Sequence, residues 1–201
     1  MTKRLLCWLG LAVGLLGGPA SAATPLEYTR TILEQTRVIV DGAKMRDEKL
    51  ADLSALLKNF LDTDTMGRQA LDKHWTQFSP AQQKEFLTLF RELFQRTYVQ
   101  KLLLFERPDF AYVGDAVAPD GTARVDTKII TPRDEFAVTY QLRPNGKTWL
   151  ATDIKIEDLS LTNNFRRQLD RLLTKSTPDE VLNRMRKKYA PGGKGAEAED
   201  L

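Results

Sequence analysis

Along residues 25–105 apolar side chains recur every three or four positions, and along residues 110–157 they alternate with polar ones. The first period is that of amphipathic helices and the second that of half-buried strands. Three helix starts share one signature: Thr24-Pro25-Leu26-Glu27, Ser79-Pro80-Ala81-Gln82 and Thr177-Pro178-Asp179-Glu180. Each reads as a hydroxyl cap, a proline at the first helical position and a Glu or Gln at the third. The hydroxyl can accept the amide of that third residue, whose side chain returns to the cap amide, and proline gives up no donor that the helix needs. The first helix is predicted over residues 25–40, ending near Gly42, with Tyr28, Ile32 and Ile39 on one face. A second follows Asp47, carrying Leu50, Leu53, Leu57 and Phe60, and a third covers residues 65–75. The fourth is the longest, residues 80–105. Phe86, Phe90, Leu93 and Phe94 form its stripe, and Leu87, Tyr98, Leu102 and Phe105 widen it. So broad an apolar face must be covered on several sides, which places this helix at the centre of the fold.

In the second half, Val125, Thr127 and Ile129 alternate with Arg124, Asp126 and Lys128. Phe136, Val138, Tyr140 and Leu142 alternate with Ala137, Thr139 and Gln141. Asp120-Gly121, Pro132-Arg133-Asp134 and Pro144-Asn145-Gly146 supply hairpin turns. Four antiparallel strands are predicted, over residues 110–118, 123–131, 135–143 and 148–157, and the short turns imply a meander. Leu161, Phe165, Leu169 and Leu172 then begin a fifth helix, and Val181, Leu182, Met185 and Tyr189 mark a sixth. The expected fold class is therefore α+β: a four-stranded antiparallel meander sheet packed against about six helices. Residues 23–190 read as a single domain with no repeat and no linker. The tail over residues 191–201, with three glycines and mixed Glu, Ala and Asp, is expected to be disordered.

The N-terminus has a different character. Lys3 and Arg4 precede an apolar run over residues 5–16, which Gly17, Gly18 and Pro19 end before Ala20-Ser21-Ala22. This is the pattern of a secretory signal peptide cleaved near Ala22. The run is shorter than the ~20 residues that span a bilayer. Cys7, the one cysteine of the chain, lies inside that segment. The expected mature protein therefore has no disulfide, thiolate nucleophile or thiolate metal site. Cleavage also removes two basic residues and no acidic one, taking the net charge from +3 to nearly neutral. Nucleic-acid binding, which needs a concentrated basic face, is not expected. The expected location is the periplasm.

Little in the chain points to catalysis. No Gly-rich phosphate loop follows a strand, and neither G-x-S-x-G nor H-E-x-x-H occurs. The single histidine, His74, sits beside Trp75 at a helix end, where packing or capping is its expected role. Asp62 and Asp64 precede a helix and read as caps. Asp153 and Glu157 flank Lys155 on one face of the last strand, which fits a solvated face. The alternative is a pocket-bearing hydrolase or isomerase that uses Asp153 or Glu157. No catalytic residue and no metal ligand is assigned. The unusual wealth is apolar: periodicity alone leaves open whether Phe86, Phe90, Phe94, Phe136, Tyr140 and Trp149 fill a core or surround a cavity.

The order of several segments carries a resemblance. Phe60-Leu61-Asp62-Thr63-Asp64-Thr65-Met66-Gly67-Arg68 and Leu71-Asp72-Lys73-His74-Trp75 come first, then Ser79-Pro80-Ala81-Gln82-Gln83 with Phe86, Phe90, Leu93, Thr97-Tyr98 and Leu102. Residues 149–161, Trp149-Leu150-Ala151-Thr152-Asp153 onward, run into Thr162-Asn163-Asn164-Phe165-Arg166-Arg167-Gln168. Together they resemble the MlaC (toluene-tolerance) family over nearly the whole expected mature chain. Asp158, Phe165 and Leu169 depart from it where glycine, tyrosine and phenylalanine are usual. The resemblance implies a periplasmic carrier of phospholipid, moving between an outer-membrane lipoprotein complex and an inner-membrane ABC transporter with its substrate-binding subunit. It implies no cofactor beyond the lipid cargo, and a pocket between sheet and helices that takes acyl chains. On that basis Phe90, Phe94, Tyr98 and Leu102 of the long helix are expected to line the pocket. From the sheet come Val125, Ile129, Val138, Tyr140, Trp149 and Ile154. Arg166 and Arg167 are read as a solvated helix end, with a headgroup or partner contact as the other role.

Overall fold

All three proline-led helix starts form reciprocal caps. Glu27 N–H donates to Thr24 Oγ1 at 3.2 Å while Thr24 N–H donates to Glu27 Oε2 at 2.9 Å. The same exchange joins Ser79 to Gln82 and Thr177 to Glu180. The structure, a computed structural model, describes residues 23–104 and 108–189. The expected signal peptide with Cys7, the tail, Phe105 and the side chain of Tyr189 lie outside the described residues. No helix among the described residues is long and apolar enough to cross a membrane.

The helical half comprises α1 (Pro25–Asp41), α2 (Arg46–Lys58), α3 (Thr63–Leu71), a 3-10 segment (Asp72–Gln77) and α4 (Pro80–Phe94). A π turn (Gln95–Val99) and the single-turn α5 (Gln100–Leu102) follow. Two expectations change here. The third helix stops at Leu71 because Asp72 takes φ +48°, and the chain tightens into the 3-10 segment. The long fourth helix is not uniform, because one residue more than the α-repeat requires is taken up in the π turn. Gly67 lets α3 cross α4 closely: a Cβ there would stand 2.9 Å from Leu87 Cδ2 and 3.1 Å from Phe90 Cδ1.

Next come β1 (Asp109–Val117), β2 (Ala123–Ile130), β3 (Glu135–Asn145), β4 (Thr148–Ile156) and β5 (Leu159–Ser160). They form one antiparallel sheet in the order β1-β2-β3-β4-β5. The fold is the α+β meander expected, with one strand more than the sequence suggested. The extra strand exists because Glu157 and Asp158 both adopt positive φ, 50° and 64°. A two-residue turn of that hand follows the sheet twist and sends Leu159 back beside Ile156. Ser160 then caps α6 (Leu161–Leu173), accepting the Asn163 amide at 3.0 Å, and α7 (Pro178–Tyr189) closes the described chain.

Strand β4 departs from strict alternation. Its register shifts between Gln141 and Leu142, which face Asp153 and Ala151, so Thr152 is the extra residue of a bulge. Trp149 and Ala151 before it, and Ile154 and Ile156 after it, consequently share the sheet's inner side. The helical half is stitched to the sheet at this bulge. Asp62 N–H donates to the Ala151 carbonyl at 2.8 Å, and Ala151 N–H donates to the Phe60 carbonyl at 2.7 Å. Asp62 also caps α3 through Thr65, and Arg143 of β3 donates to its Oδ2 at 2.6 Å. Burial opposes ionisation of Asp62, but the bonds from Thr65 and Arg143 outweigh it and hold the carboxyl below its usual range.

The turn yields a stability prediction. Asp158 stands in a left-handed conformation that glycine adopts without cost. Asp158→Gly should raise stability by about 0.5–1 kcal/mol, read as a higher urea midpoint with unchanged slope. A lower midpoint would show that the Asp158 side chain has a stabilising contact of its own.

Candidate functional site

Between the inner face of the sheet and the helices lies an apolar cavity of about 270 Å³. Close-packed interiors contain few voids larger than a water molecule, and an apolar hollow of roughly 150 Å³ already stays dry. A space of this size is therefore a feature of the fold and not a packing defect.

Of the ten residues expected on its wall, seven are there. The long helix supplies Phe94, Tyr98 and Leu102, and the sheet supplies Ile129, Val138, Tyr140 and Ile154. The other three lie elsewhere. Phe90 is sealed in an aromatic stack, with ring centroids 5.8 Å from Phe86 and 5.1 Å from Phe165, under the α3–α4 crossing at Gly67. Val125 is fully buried in the filled part of the core. Trp149 sits on the far side of the bulge, where its Nε1–H donates to the Ala23 carbonyl at 3.0 Å ahead of α1.

Other wall residues escaped the sequence reading. Ile32, Leu33 and Thr36 come from α1, and Phe60 and Leu61 from the stitched segment. Phe136, named in the alternation but not assigned to the wall, and Ile156, one step beyond Ile154 on the same face, also line the cavity. Nothing in the periodicity distinguishes the α1 residues from ordinary core.

The wall carries few polar groups, and they are quiet. Thr36 Oγ1 donates to the Ile32 carbonyl at 2.9 Å. Burial pushes the Tyr140 hydroxyl well above its ordinary pKa, and burial likewise raises Tyr98. Both phenols stay neutral at physiological pH, so Lys101 is the one charged side chain among the lining residues. Phe136, Ile154, Ile156 and Leu102 are only half buried, and Lys101 is exposed. These residues mark the mouth, where the ends of β3 and β4 face the single-turn α5.

The candidate catalytic carboxylates are committed elsewhere. Asp153 Oδ1 accepts the Thr162 amide at 3.1 Å, supporting the start of α6, and Glu157 Oε1 accepts the Ala137 amide at 2.5 Å. His74 is buried, with Nε2 2.8 Å from Asp170 Oδ1. Arg166 Nε–H donates to the Gln69 carbonyl at 3.0 Å, and Arg167 is exposed; neither lines the cavity. Among the described residues no three His, Cys, Asp or Glu side chains form a metal-sized cluster.

Comparison with known proteins agrees with this geometry. The family model described as MlaC protein matches residues 30–187. The chain belongs to the MlaC family. A search of curated proteins finds no match. Among solved structures, the chain is similar to a phospholipid-binding protein from Ralstonia solanacearum in complex with a phospholipid. The two share 20% identity with a TM-score of 0.70, over 83% of this chain and 95% of that one. At that identity the likeness shows a shared fold alone.

The cavity makes two core positions respond oppositely to added bulk. Val138→Phe grows into open space and should cost less than about 1 kcal/mol, whereas Val125→Phe, where packing is complete, should cost about 1–3 kcal/mol. Equal losses in thermal or urea unfolding would mean that the space beside Val138 is filled.

Proposed function

We propose that this protein is a soluble periplasmic carrier of phospholipid. In this reading it shuttles lipid between an outer-membrane lipoprotein complex and an inner-membrane ABC transporter with its substrate-binding subunit. The observation that carries it is the apolar cavity between sheet and helices, walled by side chains of both layers, with Lys101 at its mouth. The family supports it, as does a solved relative by fold whose complex holds a phospholipid. The segment from Lys3 to Ala22 fits export to the periplasm.

The physics matches the task. Each methylene withdrawn from water contributes ~0.8 kcal/mol, so a fatty chain of about sixteen carbons crosses an aqueous gap against roughly 10 kcal/mol or more. A carrier needs a hydrocarbon-like interior to remove that barrier, and needs no nucleophile, acid or metal. Neutral phenols at Tyr98 and Tyr140 do not penalise a chain lying against them, as a charged group would.

The test is to express the protein with its leader in a bacterium that has a periplasm, purify it without detergent, extract it with organic solvent and identify lipids by mass spectrometry. Phospholipid is expected in near-stoichiometric amount. Stripped protein should melt at a lower temperature than the same protein reloaded from phospholipid vesicles, because a ligand that binds only the folded state stabilises it. No extracted lipid together with no shift on exposure to vesicles would overturn the reading.

A further inference from the structure

The cavity opens to water beside one uncommitted charge. Lys101 of α5 is the charged residue of its wall, and it is exposed. A lysine that lines an apolar space while exposed lays its methylene stem on the wall and keeps its ammonium in water. Its neighbours at the mouth, Leu102, Phe136, Ile154 and Ile156, are all apolar and half buried. The boundary between hydrocarbon-like surface and solvent therefore runs along this one side chain.

Other charges at this end of the fold are already committed. In the sheet register Ile130 stands between Asp109 of β1 and Glu135 of β3, so both acids lie at the mouth end. Arg37 of α1 pairs with Asp109 at 3.5 Å, and Lys128 pairs with Glu135 at 2.6 Å. Glu157, just after β4, accepts the Ala137 amide. Arg133 and Asp134 are adjacent in the β2–β3 turn and cancel in net charge. On the helical side Lys49 donates to the Val40 carbonyl at 2.6 Å. Lys101 has no carboxylate partner among the described residues. A lone cation at an apolar mouth favours an anion that arrives joined to something apolar.

We propose that Lys101 is a specificity-determining residue of the site: its ammonium holds the phosphate of the cargo, so the protein prefers phosphate-bearing lipids to neutral lipids with the same chains. This rests on the phospholipid-carrier reading. With chains in the cavity, the glycerol esters come to the mouth, and the phosphodiester is the first charged group beyond them. It carries one negative charge whatever alcohol is attached to it. An ammonium is a point charge, without the fork by which a guanidinium reads the shape of its partner. Recognition through Lys101 therefore depends on the phosphate and not on the headgroup alcohol. A charge pair at the edge of solvent is partly screened, so its contribution is modest, about three- to tenfold in affinity.

The experiment titrates stripped protein with dioctanoyl-phosphatidylglycerol, dioctanoyl-phosphatidylcholine and dioctanoylglycerol, read by isothermal calorimetry in low and high salt. The three carry the same chains, and only the first two carry phosphate. Lys101→Gln should weaken both phospholipids by about three- to tenfold and leave dioctanoylglycerol unchanged. Lys101→Arg, which keeps the charge, should match wild type on all three. Raising the salt should erode the wild-type preference for the phospholipids and leave Lys101→Gln, which lacks it, unaffected. Folded Lys101→Gln that binds all three like wild type overturns the proposal. So does an equal loss on all three, which is what a packing role for the stem alone would give. Weakening of only one phospholipid also overturns it, because the headgroup alcohol would then matter. Should Lys101→Gln not fold, a wild-type preference that salt leaves intact has the same force. Failure of wild type to bind any of the three overturns the carrier reading itself.

Discussion

The architecture turns on one attachment. Among the described residues, the main-chain bonds that join the helical segments to the sheet are the two at Ala151, reaching Phe60 and Asp62. They lie next to the bulge at Thr152, where Ala151 keeps its register with Leu142 of β3 and turns its amide and carbonyl to the helical segment. From that point the two layers are held apart or together only by side chains. On one side Phe86, Phe90 and Phe165 meet ring against ring and fill the gap. On the other, between Tyr140, Ile129 and the end of the long helix, nothing of the protein's own fills it.

An empty apolar space is expensive. At the ~24 cal/mol per Å³ found for engineered cavities, one of 270 Å³ corresponds to a penalty on the order of several kcal/mol, comparable to the whole stability of many domains. The fold offsets this elsewhere, through reciprocal helix caps, the Asp62–Arg143 pair and the aromatic stack. A bound hydrocarbon chain would recover the same energy, so stability and cargo binding draw on one source. Stabilising the empty protein by filling the cavity would therefore remove the proposed function.

What could be read from the chain followed from local rules. The three Thr/Ser-Pro starts formed caps because their chemistry is complete within four residues. The hairpin glycines 121 and 146 take positive φ as their turns require. Features that depend on tertiary context were not legible. The β4 bulge stands beside the bonds of Phe60 and Asp62 to Ala151, and no window of β4 alone reveals those distant partners. The fifth strand needs Glu157 and Asp158 in a conformation their types seldom adopt, so the segment reads as a strand end. The π turn follows a run whose four-residue spacing, Phe86, Phe90, Phe94, Tyr98, continues without a visible break. Phe90 and Val125 share the periodicity of Phe94 and Val138, and only the spacing of the layers separates core from wall.

That spacing can be measured directly. With protein carrying labelled methyls on Ile129, Val138 and Ile154, and reloaded with phospholipid, nuclear Overhauser effects report which atoms touch the acyl chains. Contacts from chain methylenes to all three methyls, and none to the buried Val125, are the result required by a cavity that accepts lipid between sheet and helices. Lipid contacts confined to exposed methyls such as Val113 and Val117, with the three inner methyls silent, would contradict it.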